Sequence, residues 1–299
     1  MERVILLDKP QGPTSHDMVD ALRAALGTRR VGHTGTLDPM ATGLLVFLTG
    51  RATRLAELFR GHEKLYRGRI SFGAATDTDD AEGKVISRSK DFILESAAME
   101  SALAELASRT EQRAPAFSAV KVDGVPLYKQ ARKGQDVETP IRPVSIKRLD
   151  LLELNEQDVE IEVLCSAGTY VRGLARDLGE ILGIPAHLSE LRRLASGPFK
   201  IEDAVDLAEI QEGPAAEQGL SVDKALGHLP VALIQEDYLP RLLHGTQPEE
   251  GDLEYPDPMP ALDSWVAMRE EDGRLRALAR VEQREEGIRL RLRKTLENA

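Results

Sequence analysis

The longest apolar run in this chain is the six-residue segment Gly43-Leu44-Leu45-Val46-Phe47-Leu48. A helix needs about 20 apolar residues to cross a bilayer. The run is far too short for that and reads as a strand buried on both faces. It fixes one central element of a packed sheet and excludes a helical membrane span. The opening residues, Met1-Glu2-Arg3-Val4-Ile5-Leu6-Leu7-Asp8, carry an acid within their apolar stretch and no small-residue cleavage site, so no signal peptide is expected. A single cysteine, Cys165, excludes an internal disulfide and a cysteine-based metal site. It fits a reducing compartment, so a cytoplasmic location is expected.

Around the buried run the elements are mixed. Val4 to Leu7 reads as a first strand. Ser15 reads as an N-cap for a helix with Val19, Leu22 and Leu26 on one face and Gly27 as its stop. Residues 28–43 lack a period and read as a loop. Tyr66, Gly68, Ile70 and Phe72 alternate with Arg67, Arg69 and Ser71, as do Val159, Ile161, Val163 and Cys165 with their neighbours. Both are period-two strands. Met99, Leu103 and Leu106 mark a helix, and Val171, Leu174, Leu178 and Ile181 mark another, stopped by Gly183. Strands and helices without a regular βαβ repeat favour an α+β sheet over a doubly wound one. The 299 residues suit about two domains. A second unit is expected after residue 200, where Trp265–Met268, Arg274–Val281 and Gly287–Arg293 read as short strands of a small β-barrel. In the last of these, Ile288, Leu290 and Leu292 share one face and Arg289, Arg291 and Arg293 the other.

The net charge of −11 argues at first against a nucleic-acid partner. Its distribution changes that. Residues 1–200 balance 28 bases against 28 acids, whereas residues 201–260 hold 2 bases against 14 acids. Residues 113–148 hold eight bases and three acids. Screening confines a charge's field to about 8–10 Å, so this local segment can grip phosphates despite the overall sign. It also suits an ordinary solvated loop.

Phosphate-cradling loops of the P-loop and dinucleotide types are missing, so are a nucleophile elbow and any ligand-spaced histidine pair. Asp77–Gly83 imitates a calcium loop but has Glu82 where the sharp turn needs glycine, and reads as a polar turn. No metal and no cofactor are therefore expected. One segment stands out: Arg30-Val31-Gly32-His33-Thr34-Gly35-Thr36-Leu37-Asp38-Pro39-Met40-Ala41-Thr42-Gly43. Pro39 holds Asp38 in an extended backbone. An acid placed so, at a loop tip above a buried strand, suits a nucleophile or a general base. An Asp-Pro step in such a loop is also an ordinary turn, with Asp38 bonding nearby amides.

Longer patterns discriminate. Leu7-Asp8-Lys9-Pro10-x-Gly12-x-Thr14-Ser15 and then Gly32-His33-Thr34-Gly35-Thr36-Leu37-Asp38-Pro39-x-Ala41-Thr42-Gly43 closely resemble the TruB-type tRNA pseudouridine synthases. Lys64-x-Tyr66 with Thr76-Asp77-Thr78-x-Asp80, Phe117-Ser118-Ala119-x-Lys121, Cys165-Ser166-x-Gly168-Thr169-Tyr170-x-Arg172 and Leu191-Arg192-Arg193 continue the resemblance in family order to about residue 199. Phe117 departs from it, standing where the family usually has tyrosine. The single Pro115 stands where two prolines are common, and the acidic 201–260 stretch has no counterpart we can map.

The resemblance implies a pseudouridine synthase fold, with a central mixed, mainly antiparallel sheet flanked by helices. It implies a catalytic domain over residues 1–232 with 113–148 as an RNA-gripping insert. A small C-terminal PUA-like β-barrel for RNA binding would follow over 233–299. The implied reaction is isomerisation of the uridine at tRNA position 55, in the TΨC arm, with no cofactor, no membrane and no required protein partner. Asp38 would be the catalytic carboxylate. Arg172 would pair with it and lower its pKa. Tyr66 would stack on the base and offer its hydroxyl as a proton acceptor, Tyr170 and Leu191 would line the pocket, and His33 would fill the space left by the flipped base. Lys64, Lys121, Lys129, Arg132, Lys133 and Arg142 would bind RNA. Two other readings remain at this stage: a tRNA-binding folding helper, and the catalytic subunit of a guided ribonucleoprotein.

Overall fold

The computed structural model describes residues 2–296 apart from 123, 132, 134–137, 214–218 and 285–286. The chain divides into two compact units, residues 5–218 and residues 219–299 together with 1–4. An end of the first domain at 232 would cut the strand Val231–Ile234, which pairs in parallel with Trp265–Arg269 and so groups with the second unit.

The larger unit is built on a mixed sheet. Its strands run in the order Ile146–Leu154, Asp158–Cys165, Lys64–Phe72, Ala186–Ser196, Thr42–Thr49 and, from residue 5 on, Arg3–Lys9. The first four pair antiparallel in sequence. Ala186–Ser196 then pairs in parallel with Thr42–Thr49, Arg192 opposite Thr42 and Arg193 opposite Gly43. Leu44 to Leu48 are all buried, as a strand covered on both faces requires. In Asp158–Cys165 the alternation holds residue by residue, with Val159, Ile161, Val163 and Cys165 buried. The helix Val171–Leu182 packs Val171, Leu174 and Leu178 into the core and ends on Gly183 at φ 67. Each such aliphatic side chain contributes about 1.5–3 kcal/mol by leaving water.

Two local expectations are corrected. The helix Ser15–Leu26 is capped by Thr14, not Ser15: Thr14 and Asp17 exchange side-chain and main-chain hydrogen bonds in a capping box. That frees the Ser15 hydroxyl for another task. Within residues 28–43, Val31–His33 is a short strand antiparallel to Thr42–Thr49, too brief for a sequence period to reveal.

The basic insert rises from a two-stranded stem, Glu111–Arg113 against Ile141–Pro143, and carries a hairpin, Lys121–Val122 with Val125–Pro126, and the short helix Leu127–Ala131.

In the C-terminal unit the strands run Leu253–Glu254, Val231–Ile234, Trp265–Arg269, Leu275–Arg284 and Gly287–Thr295. They form a half-barrel of the PUA-like kind over a core including Tyr238, Val266, Met268, Val281 and Leu290. Leu290 and Leu292 point inward as expected, while Ile288 stays exposed at the strand's start. No helix among the described residues is long and apolar enough to cross a membrane.

Candidate active site

The loop between Val31–His33 and Thr42–Thr49 is tied down at every turn. Ser15 Oγ donates to Leu37 O (2.9 Å) and accepts from Leu37 N (2.8 Å). Gly12 N donates to Pro39 O at 2.8 Å. Lys9 is wholly buried, and its Nζ donates to the carbonyls of Ala41 (2.7 Å), Pro10 (2.9 Å) and Pro39 (3.3 Å). Gly43, at φ +100, lies so close to the Arg193 main chain that a Cβ there would overlap its N and O. These bonds leave Asp38 little freedom to turn away from the cleft it faces.

Asp38 faces Arg172. Its Oδ2 lies 2.9 Å from Arg172 Nε, and its Oδ1 accepts from Nη2 at 3.3 Å. Arg172, only 5% exposed at its side chain, also reaches Asp80 Oδ2 (3.3 Å), Thr78 O (2.8 Å) and Phe117 O (3.1 Å). Its fixed fork of donors is thus shared by two carboxylates and two carbonyls. Arg172 does lower the Asp38 pKa as expected, but burial acts the other way and more strongly. Burial raises the carboxyl above its ordinary value; Arg172 pulls it down, Asp80 pushes it up, and Lys9 pulls it slightly down. Desolvation outweighs the ion pair because Asp38 lies deep on the cleft floor, although a third of its side chain meets solvent.

Asp38 opens on a cleft of about 920 Å³. Tyr66, Tyr170, Leu191 and His33 all line it, so the structure brings together the pocket residues expected from sequence. Tyr66 is buried, with the Arg193 guanidinium 6.0 Å from its ring centroid. Burial pushes its hydroxyl above the ordinary phenol value, so the ring enters as a neutral phenol. His33 packs edge-on against Phe47, and burial lowers its pKa, leaving a neutral imidazole.

The residues expected to bind RNA separate. Lys121, Lys129, Lys133 and Arg142 are exposed; Arg132 lies outside the described residues. Lys64 is corrected: it is 6% exposed, and its Nζ donates to Arg60 O (2.7 Å) and His62 O (2.5 Å). Burial draws its amine down to about 8. It lines the cleft as a buried tie, unlike the exposed side chains of the insert.

Sequence reasoning named several residues without seeing their work. Arg193, 2% exposed, donates to Leu44 O (2.6 Å) and Gly35 O (3.1 Å), joining the loop to the sheet beside Tyr66. Asp80 belongs to the turn read as a failed calcium loop, two of whose acids instead meet arginines: Asp80 with Arg172, and Asp79 with Arg176 at 3.1 Å. Gln112 gave no signal at all.

The chain matches the family model described as TruB family pseudouridylate synthase, N-terminal domain, over residues 23–171. It matches the tRNA pseudouridylate synthase B C-terminal domain over residues 172–242. It is 44% identical over 256 residues to tRNA pseudouridine synthase B of Geobacillus thermodenitrificans, covering 82% of this chain and 85% of that one. The protein of the same name from Geobacillus kaustophilus is 43% identical, with 82% and 90% covered. This chain belongs to the TruB family of pseudouridylate synthases. Among solved structures, a chain of an H/ACA RNP bound to a substrate RNA containing 2′-deoxyuridine shares the fold at TM-score 0.72 and 23% identity, with 99% of this chain and 85% of that chain covered. A chain of a complex of Cbf5, Nop10 and Gar1 aligns at TM-score 0.71 and 26% identity, with 99% and 84% covered. The family-model boundary at 171/172 falls at the first turn of the helix bearing Arg172, so it does not coincide with the compact units of this TruB chain.

Proposed function

We propose that this protein isomerises uridine in tRNA to pseudouridine, acting at position 55 in the T arm, with Asp38 as the catalytic carboxylate. The observation that carries the reading is the cleft floor itself: a carboxylate held by Arg172 at 2.9 Å, on a loop whose main chain is fixed by Lys9, Ser15 and Arg193. Relatives named tRNA pseudouridine synthase B at 43–44% identity support the tRNA substrate.

The reaction breaks the bond between uracil N1 and the sugar C1′ and joins C5 to C1′. One proton leaves C5 and one is gained at N1, so product and substrate are isomers and no redox partner is needed. Asp38 addresses the sugar beside its anomeric carbon, as nucleophile or as base. Arg172 holds its rotamer and favours the anion. The base, flipped out of its stack at a cost of a few kcal/mol, lies against Tyr66 and Leu191. The neutral Tyr66 hydroxyl takes the C5 proton as it gives its own to solvent in the cleft, and N1 takes its proton from solvent. His33 takes no proton and fills volume. Lys121, Lys129, Lys133 and Arg142 on the insert face solvent and suit phosphate contacts that offset the flipping. The C-terminal unit adds RNA-binding surface. The single buried thiol, Cys165, suits a reducing cytoplasm.

The test is an unmodified tRNA transcript with purified protein and nothing else. Conversion at position 55 alone supports a stand-alone enzyme. Conversion only with added protein or guide RNA favours the guided reading, and binding without conversion favours the folding helper.

A further inference from the structure

The helix bearing Arg172 begins at Tyr170, whose side chain makes no capping bond. The first main-chain N–H groups at a buried helix start need partners from elsewhere. Gln112 supplies one to Tyr170 N, and adds a second donor to Tyr170 O, which already accepts from Leu174 N at 3.1 Å. Its Oε1 accepts from Tyr170 N at 2.9 Å and its Nε2 donates to Tyr170 O at 3.0 Å. Only one orientation of the amide satisfies both bonds. Gln112 is 4% exposed and sits on the stem of the insert, opposite Arg142. Gly173 leaves it room: a Cβ there would lie 2.9 Å from Gln112 Nε2 and 3.0 Å from its Cδ. The same limb of chain meets the helix twice more, at Arg113 O with Arg176 (3.0 Å) and at Phe117 O with Arg172 (3.1 Å).

We propose that Gln112 is a positioning residue for the isomerisation. By clamping both main-chain groups of Tyr170 it sets the aim of Tyr170 into the cleft and of Arg172, two residues on, at Asp38. Gln112 is not among the residues lining the cleft, so it acts through these two. Because the clamp stands on the stem of the insert, it also ties the insert to the catalytic guanidinium. The inference rests on Asp38 being the catalytic carboxylate.

The experiment uses the full chain with Q112A, Q112E, G173A and the Q112A/G173A double variant, each with its thermal unfolding measured and kcat taken below every transition. Q112A, and G173A by crowding, are expected to lower kcat about tenfold at saturating tRNA with KM little changed. Alanine favours helix over glycine, so a loss in G173A does not come from a weaker helix. Q112E keeps the acceptor but sets a carboxylate against Tyr170 O, and is expected to be slow too; it carries the test if Q112A does not fold. In the double variant the space left at 112 admits the new methyl, so the two losses do not add. The acid limb of the rate profile should also move up in Q112A, as Arg172 loosens its pull on Asp38 while Asp80 and Lys9 still face it. A Q112A that melts earlier but keeps kcat and acid limb, or losses that simply add, would overturn the clamp. D38N is assayed alongside. If D38N is inert and Q112A normal, the clamp alone fails; if D38N turns over, the reading beneath it fails as well.

Discussion

Arg172 in the larger unit and Arg291 and Arg293 in the C-terminal unit all face carboxylates, in very different surroundings. Arg172 is 5% exposed and meets Asp38 and Asp80 as well as two carbonyls. Arg291 and Arg293 are 46% and 37% exposed, and both lean on Glu282, at 3.4 and 2.6 Å. In water such pairs are worth about 0–1 kcal/mol. Removing one partner of a buried pair costs about 3–5 kcal/mol, because a charge is left without solvent or counter-ion. The same residue type is therefore a fixed part of one site and an adjustable surface charge in the other. Breaking each set should show that difference in size.

The largest effect is expected at the carboxylate that Arg172 serves. Asp38→Asn keeps the shape but loses the charge and one of the two acceptors facing Arg172, and is neither nucleophile nor base. Turnover on tRNA should fall more than about 100-fold, the lower range for loss of a positioned catalytic group, with RNA affinity nearly unchanged. A variant above that level would remove Asp38 from the chemistry. Arg172→Met should follow closely, losing activity and about 3–5 kcal/mol of stability in denaturant titration, because Asp38 and Asp80 are left facing each other. A fully stable R172M would place this pair in the surface class.

The loop of Asp38 was legible because it breaks every period: glycines, small hydroxyls, one acid and a proline, in an order that recurs in a family. The buried strand beside it was legible from apolar run length alone. What stayed hidden are contacts made across the sequence. Ser15 looks like an N-cap until Thr14 takes that place and the Ser15 hydroxyl turns to Leu37, 22 residues away. Lys64 looks like a basic RNA contact until burial hands its ammonium to two carbonyls. The pull of Arg172 on the Asp38 carboxyl is legible from sequence, but the depth of burial that opposes it is not, and burial is the larger effect.

That depth can be read in a pH profile. Activity needs the Asp38 anion, so rate falls as pH falls through its pKa. With burial raising that value, the acid limb of kcat/KM should lie above the ordinary aspartate position. Arg172→Lys weakens the opposing pull, and the limb should move further up. A limb below the ordinary value would mean the ion pair outweighs desolvation after all. Tyr66 sharpens the same point. As a neutral phenol it contributes through its hydroxyl, so Tyr66→Phe should bind tRNA but turn over at least about 100-fold slower. Tyr66→Leu should also lose stacking worth about 1–3 kcal/mol. Full activity in Y66F would make the ring a packing residue.

The smallest effect is expected at the tail. Arg289, Arg291 and Arg293 alternate on one face of the strand Gly287–Thr295, which makes them look like a phosphate track. Glu282 lies opposite Arg289 in the ladder and already holds Arg291 and Arg293. Their field is thus partly cancelled at short range, which blunts an attraction that depends on uncompensated charge. The Arg291→Gln/Arg293→Gln double variant should change stability by less than about 1 kcal/mol. It should flatten the slope of log affinity against log salt by less than about one unit, where two released phosphate contacts would change it by about two. Glu282→Gln sharpens the comparison by freeing both guanidiniums without moving the strand. If the freed arginines then steepen the salt slope and tighten tRNA binding, the carboxylate is what restrains this face. If instead the native arginines already account for a change of two units, Glu282 yields them to RNA, and the C-terminal unit grips phosphate in spite of its ion pairs.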